Sequence, residues 1–313
     1  MAPLDVRPLA PGKFQDPDRT LKGEARARVA FRGLRTLWVN TGTLCNITCS
    51  HCYIESSPRN DRLAYLTAAE LRPFLDEAAA RGEPLEEVGF TGGEPFMNRE
   101  LPAMLAEVLG RGLRALVLTN AMKPMRQMER ALLALHARYG GQLTIRVSLD
   151  HFDAARHDAE RGPGSFAIAL DGLRWLVRHG FRIHVAGRAG FGDAAMREGF
   201  ARLFAAEGIP IDAADPIALM LFPEMDATAD VPEITEACWG ILGRSPESVM
   251  CATSRMLVKR RGADGPVLLA CTLIAYDPRF ELGASLAEAA RPVALNHPHC
   301  ARFCVLGGAA CSR

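Results

Sequence analysis

Six β-rich segments alternate with helix-like segments between residues 36 and 222. The β-rich segments are short and apolar, and they are TLWVN (36–40), EEVGF (86–90), RALVLT (114–119), LTIRVSLD (143–150), FRIHVAG (181–187) and one strand within 209–221. Strands that alternate with helices form a parallel sheet with crossover helices. A closed eight-unit barrel needs two more units than the chain supplies. The alternation therefore predicts an α/β fold with a partial (β/α)6 TIM-type barrel.

The sequence pattern changes on both sides of the alternating segment. Residues 1–34 are an irregular lead-in, and residues 223–250 predict a linker with one helix. Downstream, RMLVKR and PVLLAC flank RGADG, which is typical of a hairpin with an Asp-Gly turn. We therefore expect a barrel domain at 35–222 and a small cysteine-rich α+β domain at 251–313.

Charge and hydropathy argue against several function classes. The net charge is +1 and the arginines form no run, so we expect no nucleic-acid partner. No window approaches the roughly 18 apolar residues of a membrane span. The first twenty residues are polar and Pro-rich and contain no signal-peptide core. We therefore expect a cytoplasmic protein that does not interact with membranes.

The chain has nine cysteines, an odd number that cannot all form disulfides. Eight of them fall into two groups, which are Cys45, Cys49 and Cys52 near the start, and Cys251, Cys271, Cys300, Cys304 and Cys311 near the end. Disulfides are rare in a reducing compartment. Clustered cysteines in such a protein indicate metal binding.

The first group lies in TLCNITCSHCY, directly after the first predicted strand. A structural zinc site takes four ligands, which His51 or a distant residue could complete. A [4Fe–4S] cluster normally takes four thiolates, so three would leave one iron open to another ligand. The spacing alone leaves both possibilities open. The loop, however, follows the carboxyl end of its strand, the face that carries the chemistry of β/α barrels.

The second predicted strand ends in the segment GGEP, formed by Gly92, Gly93, Glu94 and Pro95. Two glycines allow a ligand to approach the backbone closely. A carboxylate directly after them can receive an ammonium group. We therefore expect the cysteine loop and this segment to build one site.

Cys-x3-Cys-x2-Cys after a first strand and GGEP after a second resemble the radical S-adenosylmethionine (radical SAM) superfamily, over roughly residues 36–222. The resemblance implies that Cys45, Cys49 and Cys52 bind a [4Fe–4S] cluster. It implies that the amino and carboxylate groups of S-adenosylmethionine chelate the fourth iron. Reductive cleavage of S-adenosylmethionine would then give a 5′-deoxyadenosyl radical that abstracts hydrogen from a substrate. The cofactors, and not the protein side chains, would perform this radical chemistry.

The resemblance also implies cofactor contacts at the positions that match the family. These are His51, Gly92, Gly93, Glu94, Pro95, Asn120, Ser148, Asp150 and Arg188. His51 would meet the adenine, and the GGEP segment would meet the methionine amino group. Ser148 and Asp150, in VSLD, would contact the ribose. Asn120, in TNA, would lie near the cofactor, and Arg188 would meet the methionine carboxylate. The sequence singles out no catalytic acid or base.

The C-terminal cysteines resemble the auxiliary-cluster domains called twitch and SPASM, which have a hairpin between their first two cysteines. Five cysteines support one auxiliary [4Fe–4S] cluster, with four cysteine ligands or with three and an open iron, and the sequence leaves open which of them bind it. A zinc knuckle and unliganded buried thiols are the alternatives.

The resemblance leaves the substrate open. Many relatives with these domains modify peptides or proteins, so a peptide or protein side chain is the first expectation and a small metabolite the second. The implied electron donor is of the flavodoxin or ferredoxin type. A different class, a non-catalytic iron–sulfur or zinc protein, would bind no S-adenosylmethionine.

Overall fold

The computed structural model describes residues 8–189, 193–223 and 226–308. The strands are β1 (Arg28–Val29), β2 (Thr36–Asn40), β3 (Glu87–Thr91), β4 (Arg114–Thr119), β5 (Leu143–Ser148), β6 (Arg182–Arg188), β7 (Leu219–Phe222), β8 (Ser254–Val258), β9 (Val267–Leu269), β10 (Glu281–Gly283) and β11 (Val293–Ala294). The helices are α1 (Ala68–Ala80), α2 (Leu101–Gly110), α3 (Lys123–Gln127), α4 (Glu129–Tyr139), α5 (Ala154–Arg161), α6 (Ser165–Arg178), α7 (Asp193–Glu207), α8 (Cys238–Leu242) and α9 (Leu286–Ala289). Cys300–Leu306 forms a π-helical turn.

Strands β2 to β7 form the centre of a nine-stranded sheet. They pair in chain order, and all of these pairs are parallel. All six predicted strands are present, and β2 and β4 have the predicted bounds. Helix α1 begins at a capping box, in which the Thr67 and Glu70 side chains each accept the other residue's backbone N–H.

Two helical segments differ from the sequence prediction. The helix-like segment at residues 124–140 (PMRQMERALLALHARYG) is not one continuous helix, because it is interrupted at Met128 and forms α3 and α4. Helix α5 was not predicted, because its sequence is polar and buries one described side chain, that of His157. Among the described residues, none of the helices combines the length and apolar character needed to cross a bilayer.

The sheet curls into a partial barrel. In a flat sheet with strands ~4.8 Å apart, the ends of β2 and β7 would be about 24 Å apart. Instead, the cysteine loop after β2 lines the same cavity as Phe222, the last residue of β7. On its other edge β2 pairs with β8. The predicted partial TIM-type barrel is confirmed.

The C-terminal hairpin continues the barrel sheet. Strand β8 lies parallel to β2, β9 is antiparallel to β8, and β10 is antiparallel to β9. The predicted hairpin is therefore present. Its pairing ties the backbone of the cysteine-rich region to the strand that precedes Cys45. The proposed division into domains remains a prediction.

Candidate functional site

A cavity opens at the carboxyl ends of the barrel strands. It has a volume of about 980 Å³, counting space open to solvent. Most of the predicted site residues line it, namely Cys45, Cys49, His51, Cys52, Gly92, Gly93, Asn120, Ser148, Asp150 and Arg188. The other two residues predicted for the barrel site, Glu94 and Pro95, are buried next to the glycines and outside the described cavity wall.

The three cysteines of the loop present their thiols to this cavity. Burial raises the pKa of Cys45 to about 12. The backbone N–H of Ser56 donates to Cys52 Sγ at 3.3 Å, and Asn120 Nδ2 lies 3.9 Å from Cys45 Sγ. In the part of the chain that the structure describes, no three Cys, His, Asp or Glu side chains are grouped to hold a single metal ion. Cluster ligands need no such grouping, since each thiolate binds a different iron, so three thiols on one wall fit a [4Fe–4S] cluster.

The two glycines of the GGEP segment bring it against the cysteine loop. Gly93 N–H donates to Gly42 O at 2.8 Å, and Glu94 N–H donates to Leu44 O at 3.1 Å. A Cβ atom on Gly93 would lie 2.1 Å from Leu44 O. Gly92 has φ +138°, a conformation that L-residues rarely adopt. The glycines thus have a second role besides ligand approach, which is to hold the loop that carries Cys45.

Glu94 is a buried acid behind the cavity wall, with 1% of its surface exposed. Its carboxylate accepts hydrogen bonds from Thr119 Oγ1 at 2.7 Å, from Asn120 N–H at 2.8 Å and from Phe96 N–H at 3.2 Å. Burial raises the pKa of Glu94 to about 7, although these hydrogen bonds oppose the shift. No ion-pair partner of Glu94 occurs among the described residues. A cationic group of a ligand would therefore be favourable here.

Asp150 forms a two-point ion pair with Arg161. Arg161 Nε donates to Asp150 Oδ2 at 2.7 Å, and Arg161 Nη2 donates to Oδ1 at 3.1 Å. Burial acts to raise the pKa of Asp150, but the charge and hydrogen bonds of Arg161 outweigh it and lower the pKa below its usual 3.8. Arg161 also lines the cavity. The sequence does not single out Arg161, because its helix α5 lacks apolar periodicity.

Arg188 and His51 meet at the rim of the cavity. Arg188 Nη2 donates to the His51 carbonyl oxygen at 2.8 Å, and Arg188 Nε lies 3.9 Å from Asp150 Oδ1. His51 Nδ1 lies 2.7 Å from Glu160 Oε2, while 62% of the imidazole remains exposed. Two contacts thus fix this part of the cysteine loop. The adenine and methionine-carboxylate contacts of these residues remain predictions.

Asp150→Asn is expected to destabilise the protein by about 3 kcal/mol, because it leaves the Arg161 charge without its carboxylate. Urea unfolding at pH 7 measures this, with the exposed Asp171→Asn in α6 as the matched control. A folded-state pKa below 3.8 means that the carboxylate contributes stability above that pH and loses it as the pH falls further. Equal stability of the Asp150 and Asp171 variants would contradict this account.

A second, smaller cavity gathers four of the C-terminal cysteines, and we call it the thiol cavity. Its volume is about 350 Å³, counting space open to solvent, and the cysteines in its wall are Cys251, Cys271, Cys300 and Cys304. Burial raises the pKa of Cys251 to about 11 and that of Cys300 to about 12. Cys311, also a predicted candidate, lies outside the described residues. The sequence could not select four cysteines, whereas the structure brings these four together.

An aromatic pair links the barrel cavity to the π-helical turn that carries Cys300 and Cys304. Phe222 lines the barrel cavity and stacks on Phe303, with ring centroids 5.6 Å apart. Phe303 lies between Cys300 and Cys304 on the π-helical turn and is 1% exposed. Packed side chains therefore connect the barrel cavity to the turn that carries two of the C-terminal thiols.

Comparison with known proteins gives the family of the barrel. The family model of the radical SAM superfamily matches residues 39–194. The Fe-coproporphyrin III synthase of Methanosarcina barkeri is 30% identical over 142 residues, which cover 44% of this chain and 33% of the relative. The antilisterial bacteriocin subtilosin biosynthesis protein AlbA of Bacillus subtilis is 32% identical over 143 residues, which cover 45% of this chain and 30% of the relative. The matches thus span about a third of each of these relatives.

The fold is similar to that of SuiB from Streptococcus suis. The SuiB structure with bound S-adenosylmethionine has a TM-score of 0.59 at 12% identity, and the match covers 80% of this chain and 63% of SuiB. The SuiB structure with bound precursor peptide SuiA has a TM-score of 0.58, with coverage of 80% and 62%. At this identity the similarity concerns the fold.

Proposed function

Because this chain belongs to the radical SAM superfamily, we propose that it cleaves S-adenosylmethionine reductively and abstracts a hydrogen atom from a peptide or protein side chain. The main support for this proposal is the set of residues that line the barrel cavity. Three thiols of one loop share its wall with Gly92 and Gly93, and the Glu94 carboxylate lies directly behind.

Different residues of the barrel cavity would bind the cluster and the two charged groups of the methionine moiety. Cys45, Cys49 and Cys52 would hold the [4Fe–4S] cluster, which together with S-adenosylmethionine supplies the one-electron cleavage to methionine and a 5′-deoxyadenosyl radical. Glu94 would receive the methionine ammonium, and Arg188 would receive the carboxylate. The barrel wall would keep the reactive centre away from bulk water.

The rest of the cofactor contacts follow from the strand ends. Ser148 would contact the ribose, and Asn120 would contact the cofactor beside the cysteine loop. Asp150 would act together with Arg161, since both of its carboxylate oxygens bind that guanidinium. His51 would lie against the adenine. These roles rest on the shared cavity wall and on the family resemblance.

We also propose that Cys251, Cys271, Cys300 and Cys304 hold one auxiliary [4Fe–4S] cluster. Alanine at any one of them is expected to remove iron from this site or reduce its iron content, whereas Cys238→Ala is expected to leave it unchanged. Cys238 Sγ lies 3.3 Å from Thr235 Oγ1 and is not part of the described thiol cavity wall. Iron content per chain measures this. Iron loss in Cys311→Ala, with retention in Cys271→Ala, would contradict the assignment.

A peptide substrate is supported by two comparisons. AlbA belongs to the biosynthesis of a bacteriocin, and SuiB has been solved with a precursor peptide. A small metabolite is the second candidate, because the Fe-coproporphyrin III synthase also matches the barrel. We further propose a cytoplasmic location and an electron donor of the flavodoxin or ferredoxin type.

Deuterium transfer separates the two substrate classes. The reduced protein is incubated with S-adenosylmethionine and either the peptide fraction or the metabolite fraction of a deuterated cell extract. Deuterium in 5′-deoxyadenosine, measured by mass spectrometry, is expected with the peptide fraction. Deuterium from the metabolite fraction alone would replace the peptide proposal with the second candidate. The Cys45/Cys49/Cys52→Ala variant is the control for radical-independent exchange.

A further inference from the structure

The thiol cavity has one polar wall residue besides its cysteines, among the residues that the structure describes. The non-thiol part of the described wall is otherwise apolar and consists of Val249, Met250, Phe280, Val293 and Leu295. The exception is His299, which directly precedes Cys300 in the sequence. A buried polar ring in an apolar cavity wall requires a hydrogen-bond partner.

The ring of His299 is buried and incompletely hydrogen-bonded. His299 is 7% exposed, and its Nδ1 has no hydrogen-bond partner in the described structure. A buried polar nitrogen in a native protein normally has a hydrogen-bond partner, because leaving it unpaired costs stability. The backbone of His299 is held in place, since its N–H donates to His297 Nδ1 at 3.1 Å. Because the His299 side chain lines the thiol cavity, a group bound there would supply the missing partner.

We propose that His299 donates a hydrogen bond from Nδ1 to a sulfur of the iron–sulfur cluster in the thiol cavity and raises the reduction potential of that cluster. The proposal rests on the auxiliary cluster proposed above. Four thiolates complete the ligand set of a [4Fe–4S] cluster, so the histidine is left free to act as a donor. A reduced cluster carries one more negative charge, which a hydrogen-bond donor stabilises, and the effect is larger in an apolar cavity.

The test uses the Cys45/Cys49/Cys52→Ala protein, in which the auxiliary cluster is the expected source of iron. In this background His299→Leu removes the donor, whereas His299→Asn keeps an N–H group near the position of Nδ1. The midpoint potential is measured by electron paramagnetic resonance during titration with dithionite, which supplies the single electron. The matched control is His179→Leu, an exposed histidine after α6.

We expect about four irons per chain in all four proteins, as one [4Fe–4S] cluster requires. We expect a more negative potential for His299→Leu, recovery toward the parent value for His299→Asn, and no change for His179→Leu. An unchanged potential in His299→Leu with its iron retained would overturn the proposal. Iron loss in both His299 variants would also overturn it, since His299 would then be an iron ligand. If the parent itself binds no iron, the auxiliary cluster fails, which is distinct from failure of the His299 role.

Discussion

Glu94→Gln is expected to weaken the binding of S-adenosylmethionine by roughly 10- to 100-fold. A hydrogen bond to a charged group contributes about 1.5–3 kcal/mol, and each 1.4 kcal/mol is about tenfold in affinity. The glutamine side chain has nearly the same shape and can keep two of the three contacts, with its oxygen toward Asn120 N–H and its amide toward Thr119 Oγ1, while the weaker 3.2 Å contact from Phe96 N–H is lost. The substitution therefore tests charge more than shape. Isothermal titration calorimetry without oxygen measures the dissociation constant.

The same variant is expected to change the pH dependence of binding. The pKa of Glu94 is about 7 in the structure, so the fraction of carboxylate that can receive an ammonium rises between pH 6 and pH 8. Wild-type affinity should rise across this range, while the affinity of Glu94→Gln should stay flat. Exposed Glu100→Gln is the control and should behave as wild type. Equal affinities and equal pH slopes for wild type and Glu94→Gln would exclude contact with the ammonium.

The raised pKa also has a consequence for stability in the absence of ligand. Relative to its ordinary value of 4.5, the Glu94 carboxyl holds its proton more tightly in the folded state. Its contribution to stability is therefore present below pH 4.5 and is lost as the pH rises toward 7. A bound ammonium would reverse this trend, because it favours the ionised form.

Gly93→Ala is expected to displace the cysteine loop and to reduce both stability and iron content. The added methyl group would lie 2.1 Å from the carbonyl oxygen of Leu44, which is backbone and cannot rotate away. Overpacking typically costs about 1–3 kcal/mol, and a backbone clash belongs at the upper end of this range. Thermal melting and iron analysis measure the two effects.

The matched control for Gly93→Ala is Gly141→Ala. Gly141 is exposed after α4, and a Cβ atom there would meet nothing within 4 Å. Its effect is expected to stay within about 0.5 kcal/mol. Gly93→Ala protein with wild-type melting temperature and full iron content would show that the contact between the two loops is not needed to place Cys45.

The sequence was sufficient to predict the barrel, because hydrophobic periodicity indicates where strands and helices form. Strands β2 and β4 have the predicted bounds, because the polar residues at both ends of a short apolar run mark where the strand begins and ends. Helix α5 escaped prediction because it is polar. The pairing of β8 with β2 could not be predicted either, because the two strands are separated by more than 200 residues and no local pattern specifies their contact.

Site residues that follow the end of a strand could be predicted from the sequence. Site residues that come together from distant segments could not. Cys45, Gly93 and Ser148 each follow or end a strand, so their shared cavity could be anticipated from the barrel. Arg161 could not, because its contact with Asp150 depends on the position of α5. The choice among five C-terminal cysteines likewise depends on how the tail packs against the β8–β10 hairpin.

Iron and 5′-deoxyadenosine, measured together in wild type and in the Cys45/Cys49/Cys52→Ala variant, test the central claim most directly. The proteins are purified without oxygen and incubated with dithionite and S-adenosylmethionine. We expect about eight irons per chain in wild type, and about four with no 5′-deoxyadenosine in the variant, as two [4Fe–4S] clusters require. Zinc in place of iron in wild type, without 5′-deoxyadenosine, would contradict the account and make the three cysteines a structural metal site.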